Sequence, residues 1–347
     1  MQFANHTAQA QSHESVRRVT LRRRPRQRPQ ANDFEVSNAA IPQMRAGEVL
    51  IEVTHLSLDP YLRLRMANDP IGEPILPGDV IPGRGLGRVL ASRHRDFAPG
   101  DMVSGELGWQ TVTALAGAQL RKLDVALGEP RRHLSLYGPS GLTAYFITLG
   151  REPSAGNVAE RTVLIAPGAG SVGTLAAQIA ALHGARVIGS GQNSRQCAQI
   201  NRLRGFSASI DTSVGREAIA AACPDGIDLF IDGVGGRFHE NAVRYLRPKA
   251  RVILIGYISG YGSGTRFRYG DNAAILFRRA HLEGFLLSDW EHRFPEALSA
   301  LAYWAAQGKI EPVESTWHGL DQAPMGFAAL FDGAPPGKQV VQLTDME

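Results

Sequence analysis

The chain has 347 residues, 44% of them hydrophobic and 20% charged, with a formal net charge of +4. That length predicts two domains rather than one, with enough apolar content for a core in each. No apolar run reaches the ~18 residues of a membrane-crossing helix, and the two cysteines, Cys197 and Cys223, exclude a disulfide framework; a reducing, cytoplasmic setting is expected.

Residues 1–15 are polar and lack the apolar centre of a secretory signal, so they read as a disordered extension. Seven arginines follow between Arg17 and Arg28. Basic runs of this kind also occur in nucleic-acid-binding arms. Here Val16, Val19 and Leu21 lie among the arginines, and Pro25 and Pro29 come after them, which suits an exposed first strand and its turn. Neither nucleic acid nor a membrane is an expected partner. Phe34–Val36 and Glu48–Val53 read as strands around a turn at Ala46-Gly47. Leu56–Met66, LSLDPYLRLRM, reads as a strand entering a proline-started turn. Gly72, Pro77-Gly78, Pro82-Gly83, Gly85 and Gly87 punctuate the next stretch of chain. Gly87–Ser92 and Asp101–Ser104 read as short strands around Pro99-Gly100. Short strands with frequent turns predict a small β-barrel.

At Leu134 the period changes. Leu142–Leu149 reads as a helix opening near GPSGLTAY. From Val163 to Ser190 the chain reads VLIAPGAGSVGTLAAQIAALHGARVIGS. Val163–Ala166 is an apolar strand, and Gly168, Gly170 and Gly173 follow in G-x-G-x-x-G spacing. Val172, Leu175, Ala176, Ile179 and Leu182 then recur at helical spacing until Gly184, and Arg186–Ile188 starts a second strand. Strand, glycine turn, helix and strand make the βαβ unit that binds a dinucleotide. Gly168 is expected to permit the tight turn, Gly170 to let backbone approach the pyrophosphate, and Gly173 to let helix and strand pack closely. The helix N-terminus offers free amides and a positive dipole end to phosphate. An NAD site usually carries an acid at the end of the second strand, where it bonds the ribose 2′-hydroxyl. This chain reads Ser190, Gly191, Gln192, Asn193, Ser194, Arg195 there. With no acid to repel a 2′-phosphate and Arg195 able to pair with one, NADP(H) is favoured over NAD.

Ile227–Ile231 reads as a strand ending in Asp232-Gly233-Val234-Gly235-Gly236, Val252–Ile255 as another ending at Gly256, and Leu282–Leu287 as the last parallel one. Strands alternating with helices predict an α/β, doubly wound parallel sheet. After Trp290, a helix over Pro295–Gln307 and short strands near Val313 and Val340 are expected to return to the first domain. The expected division is an extension over 1–15, a barrel domain over 16–135 and 289–347, and a nucleotide domain over 136–288.

In order, the motifs RRVTLRRRP, HLSLDPYLRLRM, PGRGLGRVLAS, YGPSGLTAYFITLG, APGAGSVG, IDGVGG, IGYISGYG and HLEGFLLSDW resemble the zinc-independent medium-chain dehydrogenase/reductases, in the branch of the prostaglandin and curcumin reductases. The resemblance spans nearly the whole chain after about residue 16 and rests on the order of the motifs rather than on any one. It implies a GroES-like barrel, a Rossmann domain and a cleft between them. It also implies NADPH-dependent reduction of the C=C bond of an apolar α,β-unsaturated ketone or aldehyde. No metal is expected: both cysteines fall in the nucleotide half, the ten histidines form no ligand-spaced cluster, and GRGLGRV stands where the zinc branch carries a histidine.

Metal-free reduction of such a bond needs a nicotinamide held against the β-carbon, stabilisation of negative charge on the carbonyl oxygen, and a proton for the α-carbon. Tyr261, in GYISGYG, matches the family's active-site tyrosine and is the candidate donor to the developing enolate; a lid tyrosine covering the pocket is the other reading. Tyr61, in DPYLR, matches a pocket-lining residue or packs the barrel. Asp59 reads as a turn residue. By position, Gly170, Ser171, Val172 and Gly173 cover the pyrophosphate. Gly256, Tyr257 and Ile258 pass beside the nicotinamide ribose. Phe285, Leu286 and Leu287 present backbone to the carboxamide, and Thr143 lies near the nicotinamide. The resemblance also implies a homodimer joined through Ala280–Ser288.

The match departs at four cofactor positions. The family's 2′-phosphate lysine falls at Gln196 or Cys197, its adenosine-side tyrosine at Thr212, the asparagine of its DNVGG at Gly233, and the asparagine before its closing turn at Pro335 or Pro336, ahead of Gly337-Lys338. Each lost side chain removes a polar contact worth about 0.5–1.5 kcal/mol. These departures motivate an alternative: a non-redox cyclase or isomerase that keeps the scaffold and drops the hydride.

Overall fold

The computed structural model describes residues 15–68, 72–150, 159–261 and 272–344; the extension expected over 1–15 lies outside the described residues apart from Ser15. Strands β1 (Val16–Leu21) and β2 (Phe34–Ala39) pair antiparallel. The first strand is not exposed as expected: Val16, Val19 and Leu21 are buried. Four of the seven arginines of this stretch are occupied with the fold itself. Arg17 pairs with Asp321, Arg23 with Asp33 and Arg28 with Asp332, each at 2.7 Å, and Arg24 donates to the Ala67 carbonyl.

The chain continues through β3 (Glu48–Ser57), α1 (Leu62–Arg65), β4 (Gly85–Ser92), β5 (Met102–Gly105), β6 (Val112–Ala116) and β7 (Arg121–Lys122), and then enters helix α2 (Pro139–Leu149). Helix α2 starts with Pro139 in its first turn and stops at Gly150, whose φ of 78° ends the helical path. The strands β6 and β7 carry no sequence pattern strong enough to read in advance.

The second half alternates as expected: β8 (Thr162–Ala166), α3 (Ser171–Leu182), β9 (Arg186–Gly191), α4 (Ser194–Ile200), β10 (Ala208–Asp211), α5 (Arg216–Ala222), β11 (Ile227–Asp232), α6 (Gly236–Ala242), β12 (Leu246–Leu254), α7 (Asn272–Arg278) and β13 (His281–Gly284). The six strands are parallel in the order β10-β9-β8-β11-β12-β13. This is the doubly wound order, with its switch point between β8 and β9 on one side and β11 on the other. Residues Val163, Leu164, Ile165 and Ala166 are all buried, because helices cover both faces of this strand.

Helix α8 (Phe294–Ala306) corrects one expectation. It does not return to the barrel: Ala297 and Leu301 join the second core beside Phe146 and Tyr145 of α2. The Tyr145 hydroxyl donates to Glu296 at 2.9 Å, and the Phe146 and Trp290 rings lie 4.8 Å apart. The aromatic face of α2 is what draws the helix there. The return comes only with β14 (Glu314–His318), α9 (Ala323–Asp332) and β15 (Lys338–Gln342). Strand β15 pairs with β3 at Val340↔Ser57 and closes the barrel sheet, ordered β14-β15-β3-β4-β5-β7, with β6 also on β3.

Candidate active site

The glycine turn lies at the C-terminal end of β8, at the switch point. Its packing explains two of its glycines. A Cβ on Gly168 would lie 2.8 Å from the Gly189 Cα, and one on Gly173 would lie 2.3 Å from the Pro167 carbonyl oxygen. Gly168 is therefore needed for the close approach of β9, to which its amide donates at the Ser190 carbonyl, 2.9 Å away, rather than for a left-handed turn. Gly170 caps α3 in extended conformation. The Gly170 amide meets the Pro167 carbonyl at 3.4 Å, and the next amide bonded back is that of Thr174, to the Gly170 carbonyl at 2.9 Å. The amides of Ser171, Val172 and Gly173 have no acceptor among the described residues, as the start of a helix dictates. The Ser171 hydroxyl donates to Ser140 in the first turn of α2. Every residue of α2 from Ser140 to Thr148 is buried except Thr143, one turn beyond Ser140 on the same side.

The neighbouring strand ends form the floor. Gly233 donates to the Ala166 carbonyl at 2.7 Å and accepts from Ile258 at 3.0 Å. Asp232 is fully buried; one carboxylate oxygen accepts from the amides of Val234 and Gly235, at 2.9 and 2.8 Å, and the other meets His239 Nδ1 at 2.7 Å. These bonds fix the loop after β11. A Cβ on Gly256 would lie 3.1 Å from the Tyr261 hydroxyl, so the glycine leaves room for that oxygen at the end of β12. The Tyr257 and Tyr261 rings meet edge to face at 4.8 Å, and Ile258 and Tyr261 pack against the barrel core. Burial pushes the Tyr257 phenol above its ordinary pKa. Tyr261 thus spans from the nucleotide sheet to the barrel. The loop beyond it falls outside the described residues, as do residues 69–71.

On the barrel side Tyr61 opens α1 and is 44% exposed. Partial burial, with the charges of Asp59 and Glu106, pushes its phenol up to about 12, so it remains a neutral donor. Asp59 is more than a turn residue. It accepts from Ser57 and from Lys338 Nζ, the latter at 2.5 Å. Burial acts to raise its pKa, but Lys338, Ser57 and Arg84 outweigh that and hold the carboxyl below the usual range. Gly337, one residue before Lys338, donates to the Ala169 carbonyl at 2.8 Å, which brings the barrel's last strand onto the glycine turn.

The remaining expected residues sit at the rim. Ser190 is buried at the end of β9, and Arg195 is exposed on the first turn of α4 with no ion pair among the described residues. Gln196 folds back to accept from the Gln192 amide at 2.7 Å. Beyond β13, Phe285 donates to the Leu254 carbonyl at 3.0 Å and packs its ring on Trp290; Leu286 is exposed, and Leu287 begins a short 3-10 helix. Sequence reading passed over Ser140, Asp232 and Lys338. An acid at a strand end was the available sign for Asp232; nothing local marks Lys338, whose partner is 279 residues away. Among the described residues no group of three or more His, Cys, Asp or Glu could hold a metal ion.

Two family models match the chain: the N-terminal domain of oxidoreductase over residues 17–123 and the zinc-binding dehydrogenase over residues 171–303. The NADPH-dependent curcumin reductase of Escherichia coli is 32% identical over 339 residues, which cover 94% of this chain and 96% of that protein. Prostaglandin reductase 1 of Bos taurus is 31% identical, covering 90% and 95%. The crystal structure of CurA from Vibrio vulnificus in complex with NADPH superposes with a TM-score of 0.87 at 32% identity, covering 95% of this chain and all of that one.

Proposed function

Since the chain belongs to the medium-chain dehydrogenase/reductases, in the branch of the curcumin and prostaglandin reductases, we propose that it is an NADPH-dependent reductase of the C=C bond of α,β-unsaturated ketones and aldehydes. The observation that carries this reading is the turn after β8: three amides at a helix start without acceptors, and no acidic side chain from Ser190 to Arg195. A diphosphate fits such amides and a 2′-phosphate fits such a rim.

NADPH, when bound, supplies the hydride. The chain's own residues do the rest. The amides of Ser171, Val172 and Gly173 hold the pyrophosphate, and Gly168 and Gly170 keep side chains out of its way. Arg195 pairs with the 2′-phosphate beside Ser190. Gly233, Gly256, Tyr257 and Ile258 form the wall along the nicotinamide ribose, with Thr143 opposite and the backbone of Phe285, Leu286 and Leu287 at the carboxamide. The Tyr261 hydroxyl hydrogen-bonds to the carbonyl oxygen of the substrate as negative charge develops there and keeps its proton, and water supplies the proton that completes the α-carbon. Tyr61, held neutral, lines the substrate side. The four positions where family side chains are missing offer no free amide of their own, so the grip rests on the amides of Ser171, Val172 and Gly173 and on Arg195.

The test is direct. Purified protein with NADPH and 4-phenylbut-3-en-2-one should oxidise the coenzyme and yield the saturated ketone, identified by mass, while a saturated ketone alone leaves NADPH untouched. Absence of NADPH binding at about millimolar concentration, where Kd values correspond to only ~4 kcal/mol, would defeat the reading. A second expectation concerns Arg195: replacing it with alanine should weaken NADPH about tenfold, the value of one exposed charge-assisted bond, and leave NADH within about twofold. Equal effects on both coenzymes in a fluorescence titration would remove Arg195 from the phosphate site.

The same reading includes a homodimer formed at the β13 edge. Strand β13 ends the parallel sheet, and Leu276, Phe277, Leu282 and Leu286 beside it are 70, 77, 39 and 68% exposed. An apolar patch next to an open strand edge suits pairing with a second copy across a two-fold axis. Light scattering should find a dimer for the wild type and a monomer for Phe277→Arg; a monomeric wild type would reject the arrangement. Both cysteines are free thiols, and no helix among the described residues is long and apolar enough to cross a membrane, which supports a cytoplasmic location.

A further inference from the structure

The Lys338–Asp59 pair, buried at its lysine end, occupies a position that the reduction chemistry leaves unused. Lys338 side-chain exposure is 5%, and its ammonium lies 2.5 Å from Asp59 Oδ1, while Ser57 donates to Oδ2. On one side of this pair is the nucleotide turn. Gly337 has φ of +86°, and a Cβ there would lie 2.0 Å from the Val313 carbonyl oxygen, so the backbone at this point has one place to be. From that place its amide reaches Ala169, and Gly170 bridges to it in parallel register. Gln339 makes the turn stiffer: its side chain donates to the Pro335 carbonyl at 2.7 Å and accepts from Trp317 at 3.0 Å.

On the other side is the substrate wall. The Asp59 carbonyl accepts from the Leu62 amide at 3.2 Å and starts α1, the Pro60 carbonyl accepts from Arg63 at 3.0 Å, and the Tyr61 carbonyl from Leu64 at 2.9 Å. A helix of four residues has little stability of its own. Its placement, and that of Tyr61, depends on what anchors Asp59. The ladder between β15 and β3, with Leu58 donating to the Gln339 carbonyl at 3.1 Å, carries the two sides in one rigid piece.

We infer that Lys338 is a positioning residue: through Asp59 it fixes Tyr61 relative to the glycine turn, so that a nucleotide seated on Ala169-Gly170 also orders the substrate wall. This rests on the reductase reading for the identity of the nucleotide and for Tyr61 as part of the substrate wall. It assigns Lys338 no contact with the reacting atoms.

Hydrogen exchange of the full chain with and without NADPH tests it. In the wild type, NADPH should slow exchange at residues 170–174 and also, by at least about fivefold, at Leu62–Leu64, the amides bonded within α1. In Lys338→Met the protection at 170–174 should persist and that at 62–64 should fall below about twofold. A lone Asp59 in this site could unfold the variant, so Asp59→Asn with Lys338→Met, which removes both charges together, is the second variant and should behave the same way. In both, the enone KM should rise at least about tenfold while the NADPH Kd stays within about twofold, a split that simple loss of stability does not produce. Wild-type protection confined to 170–174, or transmission that survives both variants, would overturn the inference. No protection anywhere would instead count against NADPH binding, and hence against the reductase reading.

Discussion

Gly173→Ala is expected to lower NADPH affinity by at least about a hundredfold. The new methyl carbon would lie 2.3 Å from the Pro167 carbonyl oxygen and 2.9 Å from that of Gly168, and neither is a side chain that can turn away. Ordinary contact begins near 3.4 Å, so the first turn of α3 must retreat by about 1 Å. That displacement carries the amides of Ser171 and Val172 with it, and misplacements of this size cost on the order of 10² where positioning matters. Overpacking at a backbone contact also destabilises by about 1–3 kcal/mol. Coenzyme fluorescence titration and a melting curve measure the two effects separately. Should Gly173→Ala bind NADPH within about threefold of the wild type, the amides of α3 are not the pyrophosphate site.

Tyr261→Phe should lower kcat by about 10²–10³ with little change in KM, the loss seen when a donor to a developing oxyanion is removed. The substitution deletes one hydroxyl and leaves the ring contact with Tyr257 at 4.8 Å in place, so stability should change by less than about 1 kcal/mol. Gly256→Ala provides an independent check on the same atom. Its Cβ would sit 3.1 Å from the hydroxyl, a tight contact that obliges the tyrosine to give by a few tenths of an ångström. It should therefore lower kcat in the same direction while leaving the hydroxyl present. A Tyr261→Phe enzyme within about threefold of wild-type kcat would make Tyr261 a covering residue, and donation to the enolate would then have to come from another group.

Much of this molecule was legible in its sequence because the signals are local. The βαβ unit lies within Thr162–Gly191, and its strand period, glycine spacing and helix period are each set by neighbours a few residues apart. The GroES-like barrel, the cleft and the C=C reduction came instead from the family resemblance that the order of the motifs carries. Even Gly168 was found, although for a different reason: the approach of Gly189, not backbone handedness, forbids a side chain there.

What local pattern does not carry is which faces meet. Helix α8 reads as an amphipathic helix wherever it packs, and only the aromatic face of α2 decides that it belongs to the nucleotide domain. Val19 and Leu21 look exposed among arginines until Asp33 nearby and Asp321 and Asp332 from the far end of the chain take up their charged neighbours. Asp59 reads as a turn residue until Lys338 arrives from the far end of the chain. Sequence alone determined the βαβ unit, the nucleotide turn and the absence of an acid at its rim, since these depend on spacing along the backbone. The tertiary structure alone decided the burial of the first strand, the allegiance of α8 and the pairing of Asp59, since each depends on desolvated surfaces that come together only when distant segments close on one another.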